Sequence, residues 1–160
     1  MDKKLLALIE NDATLTTEEL AVLLGTDTET VAKRINELEE NGTILSRQAL
    51  IDWDQTDREY VTAFIEVKIQ PQRDFGFDRV AERIYNYPEV KSLYLMSGGF
   101  DFVVMIEGKT MREVALFVSQ KLATIEFVTA TSTHFVLKKY KDKGVIYKSP
   151  EIDERGVAGI

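Results

Sequence analysis

The sequence predicts an α+β chain of two units, an N-terminal winged helix-turn-helix and a C-terminal ferredoxin-like β-α-β-β-α-β domain. Three observations carry that prediction. Residues 23–42, LLGTDTETVAKRINELEENG, read as a helix closed by Gly25, a short turn, and a second helix ended by Gly42. From residue 60 onward, stretches with strand and helix periodicity follow one another in the order β-α-β-β-α-β. Between the two lies DQTDRE, a wholly polar boundary. The expected division is therefore 1–54, 55–142 and a tail over 143–160.

In the first unit, Leu5, Leu6, Leu8 and Ile9 form a helical stripe whose start Asp2 is placed to cap. After NDATLT, Thr16 or Thr17 caps the next helix, Glu18 and Glu19 suit its electropositive first turn, and Leu20, Leu23 and Leu24 supply its buried face. Thr26, Asp27 or Thr28 caps the third helix, where Val31, Ile35 and Leu38 recur at i, i+4 and i+7. Lys33 and Glu37 on that helix have the spacing of an i, i+4 ion pair. TILSRQALIDW then reads as one or two strands, a wing or linker.

In the second unit, YVTAFIEVKIQ alternates as a strand, and DFGFDRVAERIYNY places Phe77, Val80, Ala81 and Ile84 at helical spacing. VKSLYLMS and FDFVVMIEG are strands joined through Gly98 and Gly99, a pair suited to a tight hairpin. TMREVALFVSQKLATI is an amphipathic helix with Met111, Val114, Ala115, Val118 and Leu122 on one side, and TATSTHFVLKKYK closes the domain as a strand.

Composition narrows the function. The 160 residues contain no cysteine and one histidine, His134, which rules out disulfides and thiolate chemistry and leaves little to build a metal site or a hydrolytic triad. No metal, no cofactor and no enzymatic activity are expected. Nor is a membrane partner, because no signal-peptide pattern opens the chain and no apolar run approaches the roughly 20 residues of a spanning helix, so a cytoplasmic location is expected. Net charge is -7, and all of it lies in residues 1–55, with 12 acids and 5 bases; residues 56–160 balance at 15 of each. A helix-turn-helix usually reads DNA, yet this one is acidic where a basic footprint is the rule.

TVAKRINELEENGTI, SGGFDFVV and VTATSTHFVLKK together resemble the Lrp/AsnC (feast/famine) family of transcription regulators, over nearly the whole chain. The resemblance implies a DNA-binding first unit and a second unit, often called RAM, that dimerises and binds a small effector, usually an amino acid. It also implies operator double-stranded DNA as partner, and a homo-oligomer, a dimer that assembles into a tetramer or octamer. Thr28, Thr30, Lys33 and Arg34 are the expected reading edge, with Arg47 of the linker on a flanking phosphate. Around the Gly-x-x-Asp turn, the resemblance places the effector near Leu95, Gly98, Gly99, Asp101, Met111, His134 and Phe135; glycine lets a ligand approach the main chain, and a carboxylate pairs with an ammonium. Ile51 and Trp53 fall in the strand that the family uses in its dimer seam. The basic run Lys138 to Lys143 suits either a solvated strand end or phosphate contacts. Two rival readings are an interaction module with an acidic winged-helix surface that binds protein, and an enzyme built on the ferredoxin-like domain. No nucleophile-base pair, phosphate loop or metal spacing favours the latter.

Overall fold

A computed structural model describes residues 1–70 and 76–147, and the chain divides into two compact units, Met1–Ile51 and one that starts at Asp52. The first unit holds three helices: α1 (Asp2–Asn11), α2 (Thr17–Leu24) and α3 (Thr28–Glu40). Asp2 is not the cap of α1; Met1 holds that position, and Asp2 stands inside the first turn with its carboxylate turned to Arg34. For α2, the Thr16 hydroxyl accepts from Glu19 N while the Glu19 carboxylate accepts from Thr16 N, a reciprocal capping box. Gly25 ends it at φ 66, a left-handed position that glycine occupies without a Cβ clash. Asp27 is the residue that caps α3, accepting from Thr30 N at 2.7 Å.

Leu5, Ile9, Leu20, Ala21, Val31, Ile35 and Leu38 form the core of this unit. Each fully buried aliphatic side chain among them contributes about 1.5 to 3 kcal/mol. Leu23 is 58% exposed, contrary to expectation, since Ala21 takes the inward position beside Leu20. No strand forms after α3: residues 45–52 have no regular secondary structure, and a three-residue 3-10 turn follows at Trp53–Gln55. An extended segment without a neighbouring strand has no ladder to join, which is why the pattern of Ile44 to Trp53 does not produce one within this chain.

The second unit contains β1 (Val61–Ile69), α4 (Phe77–Tyr85), β2 (Val90–Leu95), β3 (Phe102–Gly108), α5 (Met111–Phe117) and β4 (Val128–Phe135). Its sheet has the order β2-β3-β1-β4, with antiparallel neighbours throughout. Ala63, Ile65, Val67, Phe102, Val104 and Ile106 face α4 and α5, whose Val80, Ile84, Val114 and Phe117 complete the core. The other face carries Phe64, Glu66, Tyr94, Ser132 and His134, and none of these is buried.

Three local expectations are corrected here. The β2–β3 connection is a six-residue loop over 96–101, with only Gly98 at positive φ, instead of a two-residue hairpin turn. In α5, Met111 and Ala115 are exposed, while Phe117 joins Val114 inside. The helix widens into a π turn at Val118–Leu122, which re-aims Leu122 and Lys121. Beyond β4, part of the expected tail is ordered: β5 (Lys141–Asp142) and β6 (Val145–Ile146) pair as a small hairpin, and residues 148–160 lie outside the described ones.

Candidate nucleic-acid interface and effector site

The N-terminal half of α3 is the exposed edge of the helix-turn-helix. Thr28, Glu29, Thr30 and Lys33 are all exposed there, opposite the buried Val31, Ile35 and Leu38. Thr30 donates its hydroxyl to Asp27 Oδ2 at 2.7 Å, so its oxygen is left as an acceptor. The Thr30 hydroxyl first, and its amide second, hold the Asp27 carboxyl below the usual aspartate range. This keeps a negative charge at the helix N-terminus, where it favours the helix and disfavours a phosphate.

The cations of this edge are unequal. Arg34 gives Nε and Nη2 to the two carboxylate oxygens of Asp2, at 2.9 and 2.6 Å, and Nη1 to Glu37. The expected Lys33–Glu37 pair is thus replaced by Arg34–Glu37 at i, i+3. Arg47 is held by Glu39 at 2.9 Å. Lys33 has no ion-pair partner among the described residues. The sequence reading missed Asp2 as Arg34's partner because 32 positions separate them; the i, i+3 spacing of Arg34 and Glu37 was visible.

The expected effector residues fall into two groups. Leu95, Gly98, Gly99 and Asp101 sit in or beside the 96–101 loop, at the end of the sheet where Val67 pairs with Phe102. Met111, His134 and Phe135 sit at the other end, where Ala63 pairs with Phe135 and Val61 with Gly108. Four residues of β1 separate these ends, roughly 13 Å at a strand's rise. His134 and Phe135, as strand neighbours, also point to opposite faces: Phe135 packs on the core, while His134 Nε2 lies 3.4 Å from Glu66 Oε1 on the open face. One chain therefore does not bring the seven residues together.

Asp101 has a structural task of its own. Beyond Phe102, β3 has turned into the loop, which leaves Ile69 N without a ladder partner; the Asp101 carboxylate accepts it at 2.8 Å, and Asp101 N donates to Val67 O at 3.0 Å. Leu95 is 58% exposed and lines a cleft of about 350 Å³ with Phe77, Ala81, Tyr85 and Leu93. Gly98, Gly99 and Asp101 do not line it. Among the described residues there is no group of three acids or histidines able to hold a metal, and no helix is long and apolar enough to cross a membrane.

One chain thus joins a three-helix helix-turn-helix unit to an antiparallel sheet covered on one face by two helices. The comparisons cover both units. The winged helix-turn-helix DNA-binding model matches residues 1–44, and the Lrp/AsnC ligand binding domain model matches residues 62–146. The chain is 43% identical over 155 residues to the HTH-type transcriptional regulator YugG of Bacillus subtilis, covering 96% of this chain and 93% of that one. It is 31% identical to the HTH-type transcriptional regulator FL11 of Pyrococcus horikoshii, covering 89% and 91%. Among solved structures, the transcriptional regulator NMB0573 of Neisseria meningitidis in complex with L-Met superposes at a TM-score of 0.70, with 26% identity and coverage of 88% and 90%. The chain belongs to the Lrp/AsnC family. It is a DNA-binding transcription regulator with a ligand-binding domain, and its family is one of regulators, not enzymes, as the sequence predicted.

Proposed function

We propose that this regulator is a homo-oligomer that binds operator DNA sequence-specifically, and that a small effector, an amino acid, changes its operator affinity or its assembly. The observation that carries the reading is the split of the effector residues between the two ends of the sheet. A second copy placed against the first offers the Met111, His134 and Phe135 end of one chain to the Gly98, Gly99 and Asp101 loop of another. The outer sheet face, with Phe64 at 40% and Tyr94 at 58% exposure, supports such an assembly. The unpaired segment of Leu50, Ile51 and Trp53 supports it too. The L-Met complex of NMB0573 supports an amino acid as the class of effector.

On DNA, Lys33 and Thr28 are the groups best placed to meet bases or phosphates, with Thr30 as an acceptor. Arg34 and Arg47 join only by giving up carboxylate partners. A unit with so few available cations binds weakly alone, and several units on one oligomer raise the effective concentration. A regulator of this kind works where its DNA is, in the cytoplasm. The test is a gel shift against the protein's own upstream region with a panel of amino acids, and light scattering alongside. A shift in affinity or mass with one of them is expected; no change in either with any amino acid rejects the effector half.

A further inference from the structure

The chain's cations are not concentrated where a lone helix-turn-helix needs them. Residues 1–51 carry ten acids against five bases, and two of those five, Arg34 and Arg47, are paired with carboxylates. Four lysines instead fall within six residues, Lys138, Lys139, Lys141 and Lys143, with Asp142 the one acid among them. They occupy the β5–β6 hairpin and the segment that leads into it.

Lys141 and Lys143 are exposed, and neither has an ion-pair partner among the described residues. Lys139 lies 5.2 Å from the Tyr60 ring and Lys138 5.0 Å from the Tyr140 ring, contacts in which an aromatic face steadies an ammonium. The hairpin turn has Lys143 at φ 45 and Gly144 at φ 82, the two left-handed positions of a type I′ turn. Asparagine or glycine is the undemanding choice at the first of them, yet here it is a lysine. A charged side chain is thus held at the hairpin tip against the preference of its backbone, and such strain gathers where a side chain has work to do.

We infer that this hairpin is a second DNA contact, one that neutralises backbone phosphates and reads no bases. The inference rests on the operator-binding reading above. Lysine suits the task as a flexible point charge that asks nothing of base sequence. Each phosphate it neutralises releases counterions, which supplies the non-specific affinity that the acidic reading unit lacks. Leu137 and Ile146 beside it are 91% and 71% exposed, so the rival occupant is a second copy of the chain.

The experiment uses the full chain and the double variant Lys141→Gln/Lys143→Gln, titrated across salt against the upstream duplex and an unrelated duplex, with mass measured by light scattering. Two lost phosphate contacts flatten the slope of log affinity against log salt by about 1.8. The loss is expected equally on both duplexes, with mass unchanged, and Lys141→Arg/Lys143→Arg should restore the wild-type slope. An unchanged slope overturns the inference. So does a loss confined to the operator, which would mean base reading, or a change in mass, which would make the hairpin a subunit contact. If the wild-type chain binds neither duplex, the operator-binding reading falls and this inference falls with it.

Discussion

Arg34 of α3 and Asp2 of α1 meet as a two-pronged pair, Nε on Oδ1 at 2.9 Å and Nη2 on Oδ2 at 2.6 Å, which ties the first turn of the chain to the recognition helix. The pair makes Arg34 a brace of the reading unit before it is anything else. Arg34→Ala should lower the unfolding temperature of this unit and leave the Asp2 and Glu37 carboxylates unpaired. Lys33→Ala should leave stability unchanged and weaken DNA binding. Thermal melts beside anisotropy titrations separate the two effects; equal stability in both variants would remove the brace.

The same pair sets an acid dependence. The guanidinium of Arg34, by its hydrogen bonds first, holds the Asp2 carboxyl below the ordinary aspartate range. A depressed carboxyl stabilises the fold above its unfolded pKa of about 3.9 and loses that contribution as pH falls through its folded value. Asp2→Ala should therefore be less stable than wild type at neutral pH, and the difference should shrink as pH falls from about 4 through the depressed folded value. A difference that persists undiminished in acid would contradict this.

Asp101 supplies the acceptor that β3 no longer offers to Ile69 N. Removing a charged acceptor from a partly buried amide costs about 1.5 to 3 kcal/mol. Asp101→Ala should thus destabilise the second unit by about that much, and Asp101→Asn by less, as measured by urea unfolding. If the carboxylate also meets the effector's ammonium, Asp101→Asn should keep its fold while losing its amino-acid response.

Tyr60 donates to Asp54 Oδ1 at 2.9 Å, and burial, with that bond, pushes its phenol up to about 12. A raised phenol contributes stability that is complete below the ordinary value near 10 and is lost as pH rises through its folded value. Burial also raises the Tyr147 phenol, so an ultraviolet titration should show more than one tyrosine ionising late, and Tyr60→Phe should shrink that late phase. A late phase undiminished in the variant would contradict this.

How much of this was legible in the sequence depends on how far each interaction reaches. The caps, expected at Thr16 or Thr17 and at Thr26, Asp27 or Thr28, the triplet Val31, Ile35 and Leu38, and the β-α-β-β-α-β order all rest on spacings of a few residues, and the structure has them, with Thr16 and Asp27 as the caps. Leu23 and Met111 were misplaced because short helices leave the buried arc free to rotate: Ala21 and Phe117 claimed the inward positions. The π turn at Val118–Leu122 shifts that arc again, and no single-period pattern encodes it. The strand expected between Ile44 and Trp53 needs a neighbour that one chain does not provide. For the sites, residue types were readable, but the partners were not: Asp2 holds Arg34, and Ile69 holds Asp101, each from 32 positions away. Nor could the sequence tell that Gly98 and His134 stand at opposite ends of one sheet.

The most direct test of the central claim is operator affinity measured by fluorescence anisotropy, on wild type and Lys33→Ala, with and without each amino acid. Coupling between two sites is typically 5- to 150-fold. The expected result is tighter binding to the upstream duplex than to an unrelated one, weakened in Lys33→Ala, and shifted by about that range with at least one amino acid. Equal binding to both duplexes, untouched by Lys33→Ala and by every amino acid, would contradict it.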